Sequence, residues 1–379
     1  KEKHEGQYCG CPAYYIEKGF GKKGWAKAYG MLFAIVTVIS IGVLLPGVQS
    51  NSIAAAVNNA FGINVTVTGI ALVILVGVVI FGGIKRIGSA AEFIVPFMGG
   101  IYILMALIII IVNIGYLPHV LALIFKSAFG AEATFGGIIG STIAWGVIRG
   151  VYSNEAGQGT GPQASSAAEV SHPAKPGFVQ AFQVYVATLF VCSATGFMIL
   201  MTDNYTTFNA DGSVLYNAGT AYTVDQIGPA YTQGAVNTLI NGFGAAFVAI
   251  ALFFFAFTTL MAYYYIAEVN VNYIIKRLTG KGNVMATHVL KVVLLGMTFY
   301  GAVKTSDLAW AMGDIGVGLM AWLNIIAILA LSNIAMKCFK DYERQLKEGK
   351  ASEDITFDPV SLGIKNADFW EHLNAGKVE

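Results

Sequence analysis

The chain has 379 residues, of which 56% are hydrophobic and only 12% charged, whereas a soluble domain carries about 25% charged residues. Its net charge of +1 gives no electrostatic case for nucleic acid, and four cysteines are too few for a disulfide framework. These figures exclude a disordered chain, a disulfide scaffold and an ordinary water-soluble enzyme, and they leave a polytopic membrane protein, which its apolar stretches of helix length make all-α.

Residues 1–24 form a basic, polar N-terminal segment. Cys9 and Cys11 lie two apart with no His or second cysteine pair beside them, which gives a metal site little support. The first residue is Lys1 and no signal peptide opens the chain, so the natural start is expected to lie upstream. A membrane helix needs about 20 apolar residues, and eight stretches qualify: 26–48, 65–84, 93–114, 136–156 (interrupted), 178–202, 242–270, 284–303 and 308–336. Residues 119–130 are apolar but too few to span and are expected in the interface. The stretch 203–241 is polar and holds no Lys or Arg, so it reads as a modest extracytoplasmic loop. Of the 23 Lys and Arg, all but Lys126 and Lys304 fall in alternate loops. The positive-inside rule then places both ends in the cytoplasm, in agreement with an even number of spans. The expected layout is a cytoplasmic N-terminal segment (1–24), a transmembrane domain (25–336) and a cytoplasmic tail (337–379).

An ionisable group inside a span costs about 2.5–3.5 kcal/mol on insertion scales, and such groups face a cavity or a partner. Those here are Glu155, Glu268 and Asp314, with Arg149 near a helix end. The richest stretch is Arg149-Gly-Val-Tyr-Ser153-Asn154-Glu155-Ala-Gly157-Gln158-Gly159-Thr160-Gly161-Pro162, whose four glycines and one proline work against an unbroken helix. Unwound backbone at membrane depth is tolerated inside protein or beside a water-filled cavity, and broken helices expose carbonyls to a cation and N–H groups to a carboxylate. The stretch is therefore either a substrate site built on Ser153, Asn154, Glu155 and Gly157, or a solvated Gly-rich loop. No Gly-Lys-Ser/Thr follows, so it is not a phosphate loop. Thr258 and Thr259 lie mid-span; their hydroxyls either bond the helix's own carbonyls or ligate a small cation. Gln49, after Pro46 and Gly47, reads by itself as a cap or loop residue. Asp314, among Gly313, Gly316 and Gly318, is either a structural bond between close-packed helices or a functional carboxylate. No His has ligand spacing and no Ser-His-Asp order is persuasive, so hydrolytic chemistry has little support.

At these motifs the sequence resembles the alanine or glycine:cation symporter family over nearly its whole length. The markers are Gly150-Val-Tyr-Ser153-Asn154-Glu155-Ala156-Gly157, Glu169-Val-Ser-His172-Pro173, Cys192-Ser-Ala-Thr195, Phe257-Thr258-Thr259 with 263–268, 310–324, and in the tail Phe357-Asp-Pro and Asn366-Ala-Asp-Phe-Trp370. The resemblance implies a secondary active transporter that carries a small neutral amino acid, alanine or glycine, by alternating access; transport without a chemical step would make the chain a non-enzyme that needs no cofactor. Its coupling ion would be Na+, or H+ as in some members, and it would sit in the cell (inner) membrane among lipid. It further implies a fold similar to the leucine transporter's inverted repeats. The eight spans would be core helices three to ten, with about three helices upstream absent.

On that alignment the break at Ser153, Asn154, Glu155 and Gly157 opens the second repeat and Gln49 lies on the third core helix. Trp310 bounds the substrate pocket, Thr258 and Thr259 supply hydroxyl ligands to Na+, and Glu268 and Asp314 are structural or coupling residues. The chain departs from the family at Cys9-Gly10-Cys11-Pro12, where Arg-Gly-Gly-Pro is common. Ala187 stands in place of an Asp and Pro176 in place of a Gln, and Met261-Ala-Tyr-Tyr-Tyr replaces a Trp-containing version. The rival readings are a passive channel and an inert, truncated fragment of such a symporter.

Overall fold

The computed structural model describes residues 2–4, 7–82, 84–129, 137–209, 211–280 and 284–376. The N-terminal segment folds as a hairpin of β1 (Glu2–His4) and β2 (Gln7–Cys9), followed by α1 (Pro12–Gly19). Pro12 opens that helix at a position whose N–H would have no partner. Then come α2 (Gly24–Ile39), α3 (Pro46–Phe61), α4 (Val65–Ile80), α5 (Ile84–Val112), α6 (Leu117–Phe129) and α7 (Gly137–Ser153). The second half holds α8 (Thr160–Ser166), α9 (Ala174–Tyr185), α10 (Ser193–Met201), the hairpin β3 (Thr206–Phe208) and β4 (Val214–Asn217), and α11 (Pro229–Asn237). It closes with α12 (Gly244–Thr279), α13 (Val284–Val303), α14 (Ser306–Lys347) and α15 (Asp368–Asn374).

Among the described residues, six helices are long and apolar enough to cross a membrane: Gly24–Phe61, Ile94–Val112, Ala174–Met201, Gly244–Thr279, Val284–Val303 and Ser306–Lys347. The helical, multi-pass architecture read from composition is thus the one the chain forms. Two of the eight expected spans are shorter as helices. The second is 16 residues, Val65–Ile80, and the fourth is 17, Gly137–Ser153; residue 136, where the latter was expected to start, lies outside the described residues.

Pro46 does not end the first span. Its ring cannot clear the carbonyl four residues back and it donates no hydrogen bond. The chain widens instead into a π-segment, Ser40–Leu44, closed by Leu45 N–H to the Ser40 carbonyl at 2.8 Å. The helix then runs on through Gln49 and stops at Gly62, which takes φ 67°. Gln49 is therefore a helical residue, which corrects its reading as a cap or loop.

The long helix α12 is the axis of the bundle. Its Leu260, Met261, Tyr263 and Tyr264 are buried against Ile41 and Leu45, Val76 and Ile80 of α4, Leu290 and Leu294 of α13, and Val317 and Met320 of α14. Lipid gives helices no hydrophobic reason to associate, so close packing of small residues must hold them. The crossing of α3 and α13 shows this: a Cβ on Gly301 would fall 2.1 Å from the Cα of Gly47. Asn51 secures the same crossing by donating to the carbonyls of Gly301 (3.2 Å) and Lys304 (2.7 Å).

Candidate functional site

The site grows from the break between α7 and α8. Helical bonding persists to Asn154 N–H, which reaches the Gly150 carbonyl at 3.1 Å. Then Glu155 takes φ 52°, Gly157 φ 76° and Gly159 φ 86°, three left-handed residues alternating with residues of negative φ. No helix survives that alternation. Glycine is required twice on steric grounds as well. A Cβ on Gly157 would meet Ile325 Cγ1 at 2.5 Å, and one on Gly159 would meet Pro12 Cγ at 2.5 Å.

Freed backbone groups need partners, and side chains supply them. Gln158 Nε2 donates to the Val151 carbonyl at 2.7 Å, and Asn324 Nδ2 of α14 donates to the Gly157 carbonyl at 2.8 Å. Asn324 is fully buried and is itself held by the Tyr15 hydroxyl of α1. Beyond the break, Gln163 Nε2 donates to the Gly159 carbonyl at 3.1 Å, and its Oε1 accepts from Asn270 Nδ2 of α12 at 2.6 Å. The break is thus clamped from α1, α12 and α14.

A cavity of about 590 Å3 opens against it, lined by Asn154, Glu155, Gly157, Gln180, Ala187 and Asn324 among others. Glu155 accepts from the Thr160 hydroxyl, and Asn154 Oδ1 accepts from the Thr188 hydroxyl at 2.8 Å. Ser153 Oγ lies 3.0 Å from Cys192 Sγ. Thr188 and Cys192 belong to a second π-segment, Val186–Cys192, between α9 and α10.

One turn before the break, Arg149 Nη2 pairs with Asp314 Oδ2 at 2.7 Å. Its guanidinium lies 4.8 Å from the Trp310 ring centre, and the Trp310 ring lies 5.2 Å from that of Tyr152. Gly313 brings α14 close enough that Tyr152 and Val48 both touch its face. Gln49 Nε2 donates to the Tyr263 hydroxyl at 3.4 Å. Arg149, Tyr152, Trp310 and Asp314 therefore form one group, beside the Gln49–Tyr263 pair.

Other expected site residues stand apart. Thr258 and Thr259 both donate to the Phe255 carbonyl, at 2.9 and 3.0 Å, so their protons are spent within α12. Glu268 accepts from the Tyr264 hydroxyl at 2.5 Å, and Lys291 Nζ lies 5.4 Å from that Tyr264 ring. None of the three lines the cavity. Burial pushes the Cys11 thiol up to about 12 and raises that of Cys9, so both stay protonated, unlike metal-ligating thiolates. Among the described residues no group of three or more potential metal-ligating His, Cys, Asp or Glu side chains occurs.

Sequence reasoning passed over Asn270, Gln163 and Asn324, which clamp the break, and Tyr152 and Tyr263 beside it. The signal was present: a neutral amide deep in an apolar helix also needs a partner.

The profile of the sodium:alanine symporter family matches residues 1–356. A Bacillus subtilis protein, named provisionally as a sodium/proton-dependent alanine carrier, is 58% identical over 98% of this chain and 74% of its own length. A sodium/proton-dependent alanine carrier of a Bacillus species is 54% identical over 88% of this chain and 74% of its own. A sodium/alanine symporter of Methanococcus maripaludis is 35% identical over 87% and 68%.

Proposed function

The chain belongs to the sodium:alanine symporter family, and on that premise we propose that it takes up a small neutral amino acid, alanine or glycine, across the cell membrane, driven by Na+. The observation that carries this reading is the glycine-built break at 154–159, fixed by buried amides and open to a cavity of about 590 Å3. Unwound backbone of this kind binds the charged ends of a substrate in secondary transporters. The cavity side chains Asn154 and Glu155 face the amino acid, with Ser153 and the backbone of Gly157 beside them. Gln49 and Trp310 bound the site on the side where Arg149 and Asp314 pair.

Thr258 and Thr259 serve Na+. Each hydroxyl donates to the Phe255 carbonyl, so its remaining lone pairs are what a hard cation takes. Glu268 is a structural carboxylate of α12, and Asp314 couples α14 to α7 through Arg149. The eight apolar segments correspond to core helices three to ten of a leucine-transporter-like inverted repeat, with residues 1–24 and 337–379 in the cytoplasm. Alternating access then needs no chemical step, because each Na+ moving inward gains about 2.3 kcal/mol per 100 mV.

The test is uptake of labelled alanine into vesicles holding the chain, with and without an inward Na+ gradient, and with an H+ gradient in its place. Saturable uptake that appears with Na+ is the expected result. Uptake that follows H+ alone would reassign the ion. Flux that never saturates and ignores both gradients would make the protein a channel.

A further inference from the structure

The C-terminal tail returns to the face of the bundle that holds α1. Residues 351–376 cross three elements in turn. On α14, Gln345 Nε2 donates to the Thr356 carbonyl at 2.7 Å, and Lys337 Nζ donates to the Leu362 carbonyl at 3.2 Å. On the loop that follows the half-helix α8, Ser171 Oγ donates to the Ile355 carbonyl at 2.6 Å, and Phe357 packs edge-on to the His172 ring at 5.2 Å. On the N-terminal segment, Asn366 Nδ2 donates to the Lys18 carbonyl at 3.1 Å. Asp368 there pairs with Lys22 at 2.9 Å and Lys18 at 3.4 Å, and the rings of Tyr8 and Phe369 meet at 5.6 Å. Phe357, Phe369 and Trp370 bury themselves in one cluster with Tyr8, Val170 and Cys338.

That cluster is the place where α1, the α8–α9 loop and the end of α14 are joined. Two of these elements, α1 and α14, also clamp the break: Tyr15 of α1 holds Asn324 of α14, Asn324 holds Gly157, and Pro12 abuts Gly159. Ser166 at the end of α8 donates to the Gly10 carbonyl at 3.2 Å. α8 and its loop meet the start of α1 across these contacts. The tail bridges the two, so it opposes their parting.

The means of attachment suit a reversible contact. Lys22 and Asp368 are 42% and 38% exposed, and exposed ion pairs hold weakly. One small aromatic cluster and four single hydrogen bonds supply the rest. Segments with few buried contacts open well below the global unfolding free energy.

We infer that residues 351–376 are an autoinhibitory clasp: bound, they hold α1 against α8, α2 and α12, and released, they let α1 lift and this face open. The inference rests on the transport reading for its consequence, and on contacts alone for the clasp itself. Cys11 reports on it without touching the tail. Cys11 is 3% exposed and packed with Ala13, Ala34, Val269 and Tyr273, so a reagent reaches its thiol when α1 leaves α2 and α12.

The experiment uses the full chain in vesicles, with Cys9, Cys192 and Cys338 replaced by Ser. The rate of maleimide labelling of Cys11 is measured before and after ending the chain at Lys350, and in Asp368→Lys and Trp370→Ala variants. We expect the truncation to speed labelling by about tenfold or more, with smaller gains from the single substitutions, as local opening becomes easier. Pairing Asp368→Lys with Lys22→Asp should return the rate toward the parent's. Unchanged labelling in a truncated chain whose circular dichroism and elution are those of the parent would overturn the clasp. Faster labelling without alanine uptake in any variant would keep the clasp and remove the transport reading.

Discussion

At Gly157 a single added atom matters. Its φ of 76° disfavours any side chain, and Ile325 fills the space a Cβ would need. Gly157→Ala should therefore cost about 1–3 kcal/mol from the dihedral, with a further steric part. We expect a lower melting midpoint and reduced alanine uptake. Adding Ile325→Ala should recover the steric part and leave the dihedral part.

Thr258 and Thr259 give the opposite kind of test. Each hydroxyl bonds its own helix, and Val keeps the branched shape, so the double change Thr258→Val and Thr259→Val should leave stability without Na+ nearly unchanged. The parent should melt higher as Na+ replaces K+, because an ion at about 100 times its Kd stabilises the folded state by about 2.7 kcal/mol. The double variant should lose that shift. An equal shift in both proteins would remove these residues from the ion site.

At the scale of elements, Pro46 and the break show how local chemistry and packing divide the work. Pro46 was legible as a disruption, but whether a helix stops or widens around a proline depends on what packs beside it. Here Gly316 of α14 sits directly against Ser40, where a Cβ would meet the Ser40 Cβ at 3.2 Å, and the π-segment keeps the helix going. The break was legible outright, since glycines and a proline crowd one span. What it binds to was not, because Asn324 and Asn270 lie far along the chain from Gly157 and Gln163.

The loop after α8 makes a pH-dependent prediction. His172 is fully buried, its Nδ1 accepts from Ala174 N–H at 3.0 Å, and its Nε2 lies 3.3 Å from Asp341 Oδ2. The ring is therefore neutral with its proton on Nε2. Burial pushes its pKa below 6.5 more strongly than Asp341 pulls it up, and Lys175 adds to the lowering. As pH falls below about 6.5 the unfolded ring takes a proton that the folded ring refuses, so stability declines until the lowered folded value is passed. We expect the tail and this loop to lose protection from hydrogen exchange in mild acid and to keep it above neutrality. His172→Gln should flatten that dependence.

For the whole molecule, the outside is as informative as the core. Phe97, Ile111, Trp322 and Leu329 are each at least 66% exposed, on helices long enough to cross a bilayer. Such a surface has no place in water. The protein should stay with the membrane through an alkaline carbonate wash, and release into the wash would refute the multi-pass reading.

The sequence by itself determined the solvent of this protein, the rough position of its apolar segments and the place where one helix breaks. Those follow from hydropathy and from the dihedral limits of glycine and proline, which act within a few residues. The family, too, was readable from the order of its motifs. The tertiary structure alone decided that Arg149 meets Asp314, that Asn324 holds the carbonyl of Gly157, and that the tail joins α1 to the α8–α9 loop. Each of these pairs residues well over a hundred positions apart, or binds two such elements at once, and no local rule of spacing selects a partner at that distance. Packing does so, because a buried polar group must find whatever acceptor the fold brings to it.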